Sequence, residues 1–179
     1  MSLSNRKQFV VLSEGKRDYD FVKKFLEEFF GKRTADVKRS NTVVKGVGSG
    51  EQQVRNFFPK ELSTLRKKGH RNSALVVITD GDRFTVEERR AQLIGSEFVL
   101  HSDRVLIVVP CRNLESWFAW IDGEHQNEQF DFKNRYRKAK PMKYGKKLAS
   151  ICREQRQINF PPSLDDARSG LLALTQLFS

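Results

Sequence analysis

Cysteine is scarce in this 179-residue chain: Cys111 and Cys152 are the only two. They form no Cys-x-x-Cys pair, which argues against a zinc site and leaves free thiols in a reducing cytoplasm as the expectation. Long apolar runs are missing too. No segment reaches the roughly 18 apolar residues that a membrane-spanning helix needs. Residues Met1 to Gln8 are polar and hold no apolar core of a signal peptide. A cytoplasmic protein without membrane association is therefore expected. There is no internal repeat and no low-complexity tract. Negative charge is the last shortage: 22 Asp and Glu face 33 Lys and Arg, for a formal net charge of +11. The excess favours a polyanionic partner, nucleic acid before membrane, with a solvated basic surface as the plainer alternative.

What is present alternates between two periods. Short apolar runs at Phe9–Leu12, Thr42–Val47, Ala74–Thr79 and Val105–Val109 read as strands. Helical spacing appears over Tyr19–Phe30, and over Glu51–Lys67 with Pro59 as a point of kinking or splitting. Thr85 is placed to cap a helix to about Leu93, with Glu88 three residues on in capping-box position. Leu114–Ile121 is a short aromatic-rich helix. Two more helices are expected over Tyr144–Arg156 and Ser163–Phe178, separated at Pro161-Pro162. The order predicts one α/β domain over 1–179, with a central, mostly parallel sheet of about four strands flanked by helices. Its core spans about 9–121, a polar loop or lid about 122–140, and C-terminal helices about 141–179.

Three acidic islands follow three of those strands: Glu14-Gly15-Lys16-Arg17-Asp18, Asp80-Gly81-Asp82 and Asn113-Leu114-Glu115. The carboxyl ends of parallel strands are where open α/β sheets build their sites. In extended backbone Asp80 and Asp82 point to the same side and repel each other unless a cation lies between them. Mg²⁺ takes oxygen ligands of this kind, together with waters and phosphate oxygens. Each island also has a plain structural use. Asp-Gly is a turn signal, Asp18 suits a helix N-terminus, and Glu115 suits the first turn of its helix. Gly15 permits a tight strand-to-helix turn.

Taken together, Glu14-Gly15-x-x-Asp18 after a first strand and Asp80-Gly81-Asp82 after a later one resemble the Toprim domain. This is the catalytic module of bacterial primases, type IA and type II topoisomerases and some nucleases. The resemblance covers about Phe9 to Val109 and implies a Rossmann-like fold. It implies that Asp80 and Asp82 hold Mg²⁺ or Mn²⁺, and that Glu14 binds metal or acts as general acid or base. Arg112-Asn113-Leu114-Glu115-Ser116-Trp117 is similar to the glutamate-bearing segment of nucleases of the overcoming-lysogenization-defect type. There a glutamate matching Glu115 supports a second ion. Those enzymes also use a lysine from beyond the sheet, and among Lys143, Lys146 and Lys147 the choice here is Lys146. Asp18 and Gly15 would support the site. Lys16, Arg17, Arg83, Arg112, Arg135 and Arg137 are the candidate contacts to nucleic acid.

The expected activity is thus metal-dependent hydrolysis of nucleic-acid phosphodiesters, with one or two ions, on DNA more than RNA, in defence or DNA repair. The larger relatives carry an ATPase domain, so an ATPase subunit in trans is a further implied partner. Two other readings stand beside it: a catalytically idle module that binds nucleic acid or a partner, and a primase-like nucleotidyl transferase. A haloacid-dehalogenase-type phosphatase is disfavoured because position 84 is Phe. A glycosyltransferase leaves Glu14 and Asp18 unexplained. Gly46-Val47-Gly48-Ser49-Gly50 is followed by no Gly-Lys-Ser/Thr, so a Walker ATPase is unsupported.

Overall fold

In a parallel sheet covered on both faces, strands read as nearly continuous apolar runs. Three of the four apolar runs, those beginning at Phe9, Ala74 and Val105, are strands of such a sheet. The computed structural model describes residues 6–40, 49–69, 71–95, 97–124, 127–154 and 158–178. Its elements run β1 (Lys7–Ser13), α1 (Lys16–Phe30), β2 (Ala35–Arg39), α2 (Gly50–Lys68), β3 (Ser73–Ile78), α3 (Val86–Ile94), β4 (Val105–Val108), α4 (Leu114–Ile121), α5 (Pro141–Arg153) and α6 (Pro162–Gln176). The four strands form one all-parallel sheet in the order β2-β1-β3-β4. The α/β class with added C-terminal helices is as expected.

Strand alternation sorts the side chains into two cores. Phe9, Val11, Val76, Ile78, Leu106 and Val108 face α1, α4, α5 and α6. Leu12, Leu75, Val77, Ile107 and Val109 face α2 and α3. Gly145 lets α5 lie against α1, since a Cβ there would run into the Phe21 carbonyl oxygen.

One expectation changes and another falls outside the described residues. The strand between α1 and α2 is Ala35–Arg39, while the expected strand at Thr42–Val47 lies outside the described residues, as do Gly46 and Gly48. Pro59 does not split its helix. α2 runs unbroken from Gly50 to Lys68, held by the fully buried Val54, Phe58 and Leu62. Proline removes one backbone hydrogen bond, and packing of that apolar stripe outweighs the loss. The capping box of Thr85 and Glu88 forms as expected, and Pro162 opens α6.

The strand order sets the position of the site. From β1 the chain moves outward to β2, then returns to place β3 on the other side of β1. The connections leaving β1 and β3 therefore diverge to opposite sides of the sheet. That reversal opens a crevice at the carboxyl edge between the two strands. Glu14 directly follows β1, and Asp80 follows β3 by two residues.

Candidate functional site

Glu14 and Asp80 meet across the crevice. Glu14 Oε1 accepts hydrogen bonds from the Thr79 hydroxyl at 2.6 Å and the Asp80 amide at 2.9 Å. Asp80 Oδ1 accepts from the Leu114 amide at 3.0 Å, at the N-terminus of α4. Asp18, in the first turn of α1, accepts from the Gly15 amide at 2.9 Å. Gly15 caps α1 in extended backbone that any residue adopts. Its small size leaves room for the Asp18 carboxylate against its amide.

The chain also brings Asp82 to this edge, though by a different geometry from the one expected. Asp82 has φ 55, so the Asp80-Gly81-Asp82 segment is a turn and not extended strand. Gly81 is what that turn requires. Its amide donates to the Pro110 carbonyl at 2.8 Å, and a Cβ would collide with the Cys111 carbonyl oxygen. The Asp82 amide donates to the Arg112 carbonyl at 3.0 Å, and Arg112 Nη1 returns a bond to the Asp82 carbonyl at 2.8 Å. The β3–α3 and β4–α4 turns are thereby locked together.

Charge follows from this crowding. Burial raises the pKa of Glu14, and the Asp82 charge adds to it, against the Thr79 and Asp80 hydrogen bonds. Burial, then the charges of Glu14 and Glu115, push Asp18 up to about 6. Burial and the charges of Asp18 and Glu14 hold Asp80 well above the carboxylate range. Mutual repulsion of partly buried carboxylates is the condition a bound cation relieves.

Three cationic side chains answer it. Lys133 Nζ lies 3.3 Å from Asp80 Oδ2 and 3.7 Å from Asp82 Oδ1. Burial works to lower its pKa, but the Asp80 and Asp82 charges prevail and raise it. Arg89, buried on α3, bridges Glu51 at 2.9 Å and Asp82 at 3.2 Å. Arg17 Nη2 lies 3.0 Å from Glu115 Oε1 and also donates to the Tyr136 carbonyl. Its Nη1 donates to the carbonyls of Arg137 and Ala139.

Those contacts place the polar stretch after α4 across the carboxyl edge of the sheet as a strap. Phe132 and Tyr136 are buried beneath it. The Tyr136 hydroxyl donates to Glu124 at 2.8 Å, and Asn113 donates to Asp131 at 2.9 Å.

The five carboxylates Glu14, Asp18, Asp80, Asp82 and Glu115 thus share one neighbourhood, linked through their mutual charges and through Lys133. Lys146 is not brought to it. It is exposed on α5 and lines a surface cleft with Lys143, Lys147 and Ile121. The lysine at the carboxylates is Lys133, hidden in sequence within a basic run. Arg89 is the other residue that sequence reasoning missed, and it left a signal: it sits between Val86 and Leu93 on the buried side of α3.

The candidate nucleic-acid contacts divide. Arg17 and Arg112 are turned inward onto backbone carbonyls. Lys16 pairs with Asp20 and Arg135 with Glu124. Arg83 and Arg137 are exposed.

The donor set fits a hard divalent cation, being oxygen throughout, with Glu14, Asp18 and Asp80 each raised in pKa first by burial and then by neighbouring carboxylate charge. Among the described residues, no group of three Asp, Glu, His or Cys side chains is assembled to hold an ion as it stands. Lys133 lies between two of the donors, and Arg17 holds Glu115. Ion binding therefore calls for rotation of side chains on a fixed backbone. Searches of family models, curated proteins and solved structures return no match to this chain.

Proposed function

We propose that the chain is a metal-dependent nucleic-acid phosphodiester hydrolase of the Toprim type. The observation that carries the reading is Glu14 and Asp80 joined at the reversal of strand order, with Asp18, Asp82 and Glu115 around them in a protein of net charge +11. Asp80, Asp82 and Glu14 would hold Mg²⁺ or Mn²⁺, and Glu115 would complete a second site on release from Arg17. Bound there, a divalent ion supplies a Lewis acid for a phosphoryl oxygen and lowers the pKa of a water. Glu14, with its raised pKa, is suited to hold or move a proton at its carboxylate. Asp18 fixes the β1–α1 turn and adds negative charge. DNA before RNA as substrate, a cytoplasmic setting and an ATPase subunit in trans belong to the same reading.

The test is cleavage of plasmid DNA, single-stranded DNA and RNA with Mg²⁺ or Mn²⁺, by wild type beside Asp80→Ala. Cleavage by wild type that needs the ion and is lost in the variant is expected. Equal cleavage by both would overturn the assignment.

One observation favours a second reading, a catalytically idle module that binds nucleic acid or a partner. Lys133 already pairs with both aspartates. Calorimetry showing no Mn²⁺ uptake, with oligonucleotide binding intact, would select it.

A further inference from the structure

Lys133 is a flexible side chain on a fixed backbone. Its amide donates to Asp131 Oδ1 at 2.9 Å, and the same oxygen accepts from Asn113 at the start of α4. Phe132 on one side is buried, and so is Tyr136 a turn later. Arg17 holds the carbonyls of Tyr136, Arg137 and Ala139. The Lys133 side chain itself is 51% exposed, and its ammonium is the group that pairs with the aspartates. A half-exposed stem of four methylenes gives that ammonium several rotamers at little cost in packing. The strap can therefore stay in place while the ammonium changes partner.

Its present partners are the two aspartates proposed as metal ligands, so a role for Lys133 in metal exchange rests on that reading. A single positive charge between Asp80 and Asp82 offsets part of their repulsion. A divalent ion offsets more, and binds the same oxygens directly. The two cations are mutually exclusive on geometry alone, at 3.3 and 3.7 Å from the carboxylate oxygens. An ammonium displaced from the aspartates remains at the mouth of the crevice. A phosphate entering there is the nearest new source of negative charge.

We infer that Lys133 is a resident counter-cation that exchanges partners. It occupies the aspartate pair in the metal-free protein, yields it to the divalent ion, and passes to the substrate phosphate. Lys133 then opposes metal binding when the protein is alone and supports polyanion binding once metal is present. These two effects have opposite signs, and a purely structural lysine produces neither pattern.

Two titrations of the full chain test this. Mn²⁺ affinity is read by calorimetry for wild type, Lys133→Met and Lys138→Met, the last an exposed lysine of the same strap. Affinity for a labelled phosphorothioate DNA 20-mer, which resists cleavage, is then read by anisotropy at saturating Mn²⁺. Lys133→Met is expected to bind Mn²⁺ about tenfold more tightly than wild type, within the usual range of coupling between two ligands. The same variant is expected to bind the oligonucleotide about tenfold more weakly at saturating Mn²⁺. Lys138→Met should hold Mn²⁺ within about twofold of wild type, since an exposed charge is screened by salt. Unchanged or weaker Mn²⁺ binding by Lys133→Met overturns the exchange, and so does unchanged oligonucleotide binding. If neither wild type nor variant takes up Mn²⁺, the metal-site reading fails and the exchange fails with it.

Discussion

Arg17 and Glu115 are 98 positions apart in sequence, and their side chains form a 3.0 Å ion pair. The same guanidinium binds strap carbonyl oxygens of Tyr136, Arg137 and Ala139. A planar fork of five donors suits this work, and a lysine ammonium does not. Arg17→Lys should therefore fail to restore what Arg17→Ala removes. Arg17→Ala is expected to lower stability by roughly 2 kcal/mol, mainly by leaving the buried Glu115 carboxylate and the carbonyls unpaired. Urea denaturation measures the loss. Limited proteolysis should show faster cutting within 127–140, and wild-type resistance in Arg17→Ala would refute the anchoring role.

Gly81 joins the two turns that carry Asp82 and Arg112. A methyl group there meets the Cys111 carbonyl oxygen, which is backbone and cannot swing aside. Gly81→Ala must part the turns, breaking the bonds of Gly81 to Pro110 and of Asp82 to Arg112. Overpacking of this kind costs about 1–3 kcal/mol. The urea midpoint should fall by a matching amount, and Mn²⁺ affinity should fall with it. A variant of unchanged midpoint would mean that the turns separate freely.

Sequence reading reached the sheet where side chains are buried on both faces. Phe9–Leu12, Ala74–Ile78 and Val105–Val109 have too many apolar neighbours to be anything but covered strands. Ala35–Arg39 escaped because only one of its faces is covered. Ala35 and Val37 are buried and Arg39 shares their face, while Asp36 and Lys38 pair outside at 3.1 Å. Glu14 and Asp80 were legible because strand ends mark the crevice. Lys133 was not, because Lys133, Arg135, Arg137 and Lys138 carry the same charge, and only the path of the strap selects one. Arg17 and Arg112 look like surface cations in sequence. Their inward turn depends on carbonyls more than 20 residues away in the chain.

Asp18 makes the metal-free protein sensitive to pH in a stated direction. Its carboxyl rises from an ordinary 3.8 to about 6 in the folded state, through burial first and then the Glu14 and Glu115 charges. The folded chain therefore binds the proton more tightly than the unfolded chain. No penalty exists below about pH 3.8. It grows as pH rises and is complete above about pH 6. A difference of that size between the folded and unfolded carboxyl is worth at most about 3 kcal/mol. Asp18→Asn keeps an acceptor for the Gly15 amide and removes the charge. In EDTA its urea midpoint should exceed that of wild type at pH 7.5 and match it at pH 4. A lower midpoint for Asp18→Asn at pH 7.5 would mean that the Asp18 charge stabilises the fold.

On the proposed reading, the exposed arginines separate substrate contact from structure. Arg83, next to Asp82 in the chain, and Arg137, on the strap, are exposed, and the Arg137 contact to Arg17 is through its backbone carbonyl. Truncating either side chain removes a charge and leaves the architecture intact. Arg137→Ala should weaken oligonucleotide binding at low salt and reduce the slope of log affinity against log salt by about 1, the signature of one lost phosphate contact. Its urea midpoint should stay at the wild-type value. Arg112→Ala should do the reverse: lose stability through the Asp82 turn, and leave the salt slope unchanged. Anisotropy at several salt concentrations, read beside denaturation curves for both variants, decides the matter. If Arg112→Ala lowers the slope as Arg137→Ala does, Arg112 leaves its carbonyl to reach the phosphate and belongs to the nucleic-acid face after all.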